Sequence, residues 1–410
     1  MNRLWDLDML RGLMLILMFV THLPTRFSSM LSQPFGFVSA AEGFVMLSAF
    51  MAGMVYAGKG LRDGIPAMRN AFIARALKIY ACHAALLLFL FSVMATVGLL
   101  RDQRALTDLL GFYLNNPLAG LWGGLLLIYN PPLLDILPLY IMFMLLSPLI
   151  LEIGLRRGWQ GIFAVSIALW VMAQTRISET LYDVFVILTD FQVPYRETGS
   201  FETYAWQFLW VLGLWMGAKM AKGELKDRKP FPKALIAVCL LYAAVMLIWR
   251  YVAGQVPIQG DSMINHLFDK WHLGPFRLLN FFAMVILIMH FGDAIKARLP
   301  RIGALETMGA ASLPVFCAHL VVVLLVLSIY GGSTPERGIM VDVMLMAGGL
   351  AILYVVAVIT LMIDKESNPK RRSGTPGSEG TGAAASGAGA SGVKVTKPLA
   401  QVGGQVRGDH

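Results

Sequence analysis

The chain has 410 residues, 57% of them hydrophobic and only 14% charged, with a mean hydropathy of +0.65. That leaves too little polar surface to clothe a soluble globule, so the main solvent must be lipid, and a bilayer restricts the backbone to helices. The net charge of +9 would by itself admit a nucleic-acid partner, but its distribution along the chain removes that reading.

In chain order, apolar stretches fall at 8–23, 37–57, 79–100, 132–153, 159–174, 205–221, 234–252, 277–293, 309–330 and 339–363. Most approach the ~20 residues that cross ~30 Å of hydrocarbon, and the fifth is short. The expected fold class is an all-α integral membrane protein of about ten transmembrane helices. The first stretch follows Arg3 as a signal peptide would, yet no small-x-small cleavage site comes after it, so it reads as a retained helix. With the N-terminus in the cytoplasm, every even connection is basic. The second holds Lys59, Arg62, Arg69, Arg75 and Lys78, and the fourth Arg156 and Arg157. The sixth holds Lys219, Lys222, Lys226, Arg228, Lys229 and Lys233, and the eighth Lys296, Arg298 and Arg301. This is the positive-inside bias; it places both termini in the cytoplasm and explains the net charge without nucleic acid.

The fifth connection is acidic, with Glu179, Asp183, Asp190, Glu197 and Glu202. Three outward connections, 101–131, 175–204 and 253–276, are long and carry Tyr129, Tyr182, Tyr195, Tyr204 and Trp271. A functional face and an interfacial aromatic belt both account for them. Residues 1–363 make up the membrane domain. Residues 364–410, with Lys370, Arg371 and Arg372 and then a Gly/Ala/Ser-rich run, form a cytoplasmic tail expected to be disordered. Cys82, Cys239 and Cys317 show no metal-ligand spacing, so neither a metal nor a disulfide is expected.

Ionisable residues inside spans are costly, which makes them the starting point for function. Asp8, Arg11 and His22 lie on the first helix. Eleven steps of ~100° return to nearly the same angle, so Arg11 and His22 share a face about 16 Å apart. An inner anion site joined to an outer proton acceptor fits this spacing. So does an Arg11 that snorkels and a His22 that caps the membrane boundary.

The run Asp8-Met9-Leu10-Arg11-Gly12 with His22 resembles the D-x-L-R-G opening and R-x10-H pattern of the acyltransferase-3 superfamily. Residues Glu42 to Phe50, EGFVMLSAF, resemble its second-helix segment, with Ala49 where that pattern has Gly. Phe72 to Tyr80 resembles its basic third-helix opening. The similarity is greatest to the OpgC branch, through Asp135 to Tyr140, Trp206-Gln207, Leu273 to Asn280, and Ser312 to Phe316 with His319. It spans nearly all of 1–363.

The resemblance implies an O-acyltransferase of the bacterial inner membrane that moves an acyl group, succinyl in that branch, to a hydroxyl of a periplasmic glucan or other envelope glycan. Acyl-CoA, as succinyl-CoA or acetyl-CoA, is then a co-substrate, with no tightly bound cofactor. The partners are that donor, the glycan or sugar acceptor and the bilayer, with a homo-oligomer left open. His22 is the expected general base, because an imidazole near neutrality can take the proton of a sugar hydroxyl as it attacks a thioester. Glu42 is expected to orient and charge-stabilise it, with Arg11 on the same face. Arg75, Lys78 and Arg11 are expected at the donor phosphates, with positive-inside anchoring as the alternative. Asp135, Trp206, Gln207, Lys270, Arg277 and His319 are the substrate-binding candidates. For His319, a core histidine and a rival catalytic centre remain alternatives. The competing function is a transporter of a glycan or lipid-linked sugar; against it stand the lack of an internal repeat and of a P-loop.

Overall fold

The computed structural model describes residues 4–175, 177–225, 230–260, 262–333 and 337–367. Among them every regular element is helical. The long helices are α1 (Trp5–His22), α2 (Ala40–Asp63), α3 (Ile65–Leu100), α4 (Ile136–Arg156), α5 (Gln160–Ala173), α6 (Thr203–Ala221), α7 (Lys233–Ala253), α8 (Pro275–Arg298), α9 (Ser312–Tyr330) and α10 (Ile339–Glu366). Seven of them, α2, α3, α4, α7, α8, α9 and α10, are long and apolar enough to cross a membrane.

The other three depart from that standard for separate reasons. The 14 residues of α5 reach only about 21 Å. The helix that follows, Ile177–Thr189, leaves it at 85°, so the pair makes at most one broken span. Asp6, Asp8 and Arg11 dilute α1, and Gln207, Lys219 and three tryptophans dilute α6. Both α1 and α6 pack among other helices, where polar side chains meet protein. The expected stretch 309–330 is also interrupted, at Ala311, into a short helix Gly303–Ala310 and α9. Lys226, Arg228, Lys229 and the tail from residue 368 onward lie outside the described residues.

Small residues bring the core helices together. Gly213 and Gly217 on α6 stand one turn apart, and a Cβ on either would overlap an α2 carbonyl, of Met46 or of Phe50. A small-xxx-small seam of this kind lets backbones touch where there is no hydrophobic drive between helices. Ala49 packs directly against Gly213, so the glycine missing from α2 has its counterpart on the facing helix. Gly12 does the same for α1, since a Cβ there would collide with the Leu305 backbone. That approach sets the start of α9 beside Arg11.

The connections between helices are themselves folded. Residues 101–131 form three short helices, Arg104–Leu109, Gly111–Asn115 and Pro117–Leu125, and the 254–274 segment contains Met263–Leu267. Together with the segment ahead of α6, they gather at the end of the fold where α1 finishes and where α2, α4, α6 and α8 begin.

Candidate active site

At that end the chain concentrates its buried polar groups. His22, the last residue of α1, places Nδ1 3.0 Å from Nε2 of His319 on α9. The two rings lie within 11° of parallel, and Phe19 and Phe316 each meet the His319 ring edge to face. One ring of the pair donates and the other accepts. Nδ1 of His319 is buried without a hydrogen bond, and the Phe316 carbonyl one turn back is the backbone acceptor that acts on that ring.

Beside the histidines runs a charged chain. Glu42, fully buried, is the third residue of α2. Its Oε2 accepts from the Ser39 N–H at 3.0 Å and from the Ser39 hydroxyl, closing a capping box. Its Oε1 accepts from Nε of buried Arg277 at 2.5 Å. Lys270 sits over the Trp271 ring at 4.4 Å, and its charge reaches His22. Burial and then the neighbouring Arg277 lower the Lys270 ammonium's pKa, against the opposing pull of Glu42, Asp135 and Asp269.

A narrow slot with about 30 Å³ of room lies further down α1, lined by Arg11, Arg75, Phe44, Ser48, Tyr140 and Ser312 among others. Arg11 donates to the Ser312 hydroxyl and pairs with Asp8 at 3.6 Å. The slot thus presents two guanidinium groups, from α1 and α3, between walls that are otherwise mostly apolar.

A family model described as OpgC protein matches residues 3–364. The chain belongs to the OpgC family. Comparison with curated proteins and with solved structures gave no match.

In this OpgC-family chain the structure joins some of the expected site residues and separates others. Arg11 and Arg75 share the slot. Lys78 does not enter it: three residues turn the helix ~300°, enough to move its side chain to the exposed surface of α3. The expected pairing of Glu42 with His22 does not form, because both carboxylate oxygens are taken by Ser39 and Arg277. The partner of His22 is His319. Trp206 and Gln207 are held by protein rather than left open for a ligand. The Trp206 indole donates to the Trp271 carbonyl at 2.9 Å. Gln207 accepts from the Ser166 hydroxyl at 2.7 Å and donates to the Ser166 and Tyr204 carbonyls, tying α6 to α5.

Ser312 and Asn280 lie in segments that carry the OpgC resemblance, but their contacts come only from the fold. Ser312 meets Arg11 across 301 positions of chain. Asn280, fully buried on α8, accepts from the Phe37 N–H at 3.1 Å and keeps its amide donor without a partner.

Asp135, immediately ahead of α4, is buried and accepts from the Ser200 N–H at 3.3 Å. Burial pushes its carboxyl up to about 6, against the opposing pulls of Ser200 and Lys270. A folded-state value above the unfolded 3.8 means that folding favours the protonated form. That stabilisation is complete below about pH 4 and is lost as pH rises through about 6. Asp135→Asn keeps an oxygen acceptor for Ser200. In thermal unfolding it should be more stable than the parent at neutral pH by up to about 3 kcal/mol. The advantage should shrink toward zero near pH 4; an advantage equal at both pH values would show that Asp135 does not titrate with folding.

Proposed function

We propose that the protein is a membrane-embedded O-acyltransferase that moves an acyl group from acyl-CoA to a hydroxyl of a cell-envelope glycan, with His22 as general base. The observation that carries this reading is the pairing of a half-buried His22 with buried His319 at one end of α1, with the two-arginine slot further down the same helix. In the productive tautomer, His22 donates its Nδ1–H to His319 Nε2, while His319 keeps its own proton on Nδ1 toward Phe316. That leaves His22 Nε2 bare.

Nε2 then takes the proton of the acceptor hydroxyl as that oxygen attacks the thioester carbonyl. The C–S bond breaks, the proton passes from Nε2 to the leaving thiolate, and an ester and free CoA thiol result. Arg11 and Arg75 suit the donor, because a guanidinium meets phosphate bidentately. Lys270 lies where it could steady negative charge developing near His22. The acyl group is a succinyl or acetyl unit, as the OpgC resemblance implies.

The same proposal includes ten spans, both termini in the cytoplasm, and placement in a bacterial inner membrane with the His22 end outward. It rests on the alternation of basic connections and on the OpgC membership. The 364–410 tail belongs to the cytoplasmic side on this reading.

Purified protein incubated with labelled succinyl-CoA or acetyl-CoA and a glucan should pass label to the glucan. If no donor delivers label to any glycan tried, the reading as a transporter takes its place.

A further inference from the structure

We propose that a polar cleft at the His22 end, between the 108–116 segment and the 196–200 turn, binds a neutral oligosaccharide chain, the acceptor that approaches His22. As an acceptor site it rests on the acyltransferase reading; as a sugar-binding cleft it stands on its own chemistry.

The cleft offers about 460 Å³ of room, and its walls include Asp108, Phe112, Asn116, Asn130, Arg196 and Glu197. It backs onto the candidate active site. The Ser200 N–H on its rim donates to Asp135, Gly199 packs against the Asp135 side chain, and Asp135 in turn acts on Lys270, whose charge reaches His22.

The lining selects the ligand class. Side-chain amides and carboxylates offer the mixed donors and acceptors that adjacent hydroxyls need, and the Phe112 ring provides an apolar face for a sugar ring. Asp108 and Glu197 against Arg196 leave one net negative charge, and Arg196 already faces Glu197 at 3.7 Å. An anionic ligand such as the CoA phosphates finds no unopposed cation here, and a lipid chain finds too little apolar wall.

The cleft is also built to hold its shape. The Asn130 N–H donates to the Glu197 carbonyl at 2.9 Å and its amide to the Thr198 carbonyl at 2.5 Å, pinning one wall to the other. Phe112 packs against Tyr129, with ring centroids 4.8 Å apart. Asn130 Oδ1 lies buried behind that wall without a donor. On either side of Asn130, Leu127 and Leu133 adopt left-handed backbone at φ +64° and +75°. Such conformations cost about 1–3 kcal/mol each, and strain of this kind is typically kept at ligand sites.

The test is calorimetric titration of the full chain in lipid nanodiscs with a linear neutral glucose oligomer, alongside a uronic acid oligomer of equal length. The glucose oligomer should bind and the uronic acid oligomer should bind more weakly. The double variant Asp108→Ala/Asn116→Ala should weaken binding about 100-fold, each lost hydrogen bond being worth about a factor of ten. Gly111→Phe should abolish it, because a Cβ at Gly111 meets nothing within 4 Å and the new ring enters open cleft rather than packed core. In the transfer assay these variants should raise the acceptor KM and leave the donor KM unchanged. His22→Ala should bind the oligomer as tightly as the parent.

Absence of binding by the parent, unchanged binding by both variants, or preference for the uronic acid oligomer would each overturn the cleft. Binding without transfer from any donor would sink the acyltransferase reading and keep the cleft. Transfer whose acceptor KM ignores both variants would do the reverse.

Discussion

Replacing His22 by alanine is expected to lower acyl transfer by about 10²- to 10⁴-fold, the usual worth of a positioned general base. Membrane insertion and donor binding should persist. His22 is the last residue of α1, so its truncation disturbs no helix interior, and the donor slot is lined by Arg11 and Arg75 lower down. His319 should behave differently, because it touches His22 and not the reacting atoms. His319→Leu removes the acceptor 3.0 Å from His22 Nδ1 and frees His22 to adopt the tautomer whose Nε2 is already protonated. Its expected cost is about tenfold in kcat, the worth of one buried hydrogen bond, with little change in either KM. His319→Gln, which carries a carbonyl oxygen to nearly the position of Nε2, should restore most of that loss and the parent pH–rate profile. A fully active His22→Ala beside an inactive His319→Leu would move the catalytic centre to His319.

The shares of this site that the sequence disclosed follow the range of the interactions involved. Arg11 and His22 could be placed on one face because eleven residues along a single helix is a local, periodic relation. The contact between His22 and His319 joins positions 297 residues apart, and no periodicity within one helix encodes it. The same holds for Arg11 and Ser312. Lys78 and Arg75, three apart, are neighbours on a helix surface, yet the edge of the packed face runs between them. Glu42 is different, since its role was open to local reading. Ser39-Ala40-Ala41-Glu42 is a capping-box pattern, which binds the carboxylate to its own helix start before any partner is considered. The break at Ala311 also had a local sign in Pro314, whose missing N–H suits the first turn of a helix and not the interior of a longer one. The long helices themselves were legible because apolar length is an additive property of the sequence. The cleft around Asn130 was not, as its two walls, 108–116 and 196–200, come from separate connections that carry no repeating pattern.

Cutting the Glu42–Arg277 pair is expected to give the largest loss of stability from a single substitution. Both side chains are almost wholly buried, 0% and 1% exposed, and one Arg277 nitrogen, Nη2, already lacks a partner. Glu42→Ala would leave a guanidinium in the interior with no carboxylate, at a cost of about 3–5 kcal/mol. It would also open the capping box at the start of α2, worth about a further 1 kcal/mol. Arg277→Met should cost a similar 3–5 kcal/mol by stranding the carboxylate. The two losses should not add. With Glu42→Leu/Arg277→Met neither charge is left unpaired, and buried ion pairs replaced by apolar side chains of similar volume are commonly neutral or better. The double variant should therefore recover most of the stability lost by Arg277→Met alone, keeping a deficit near that of the cap. Thermal unfolding in detergent of the parent, Glu42→Leu, Arg277→Met and the double variant closes the cycle, and strictly additive losses would show that the two charges do not depend on each other.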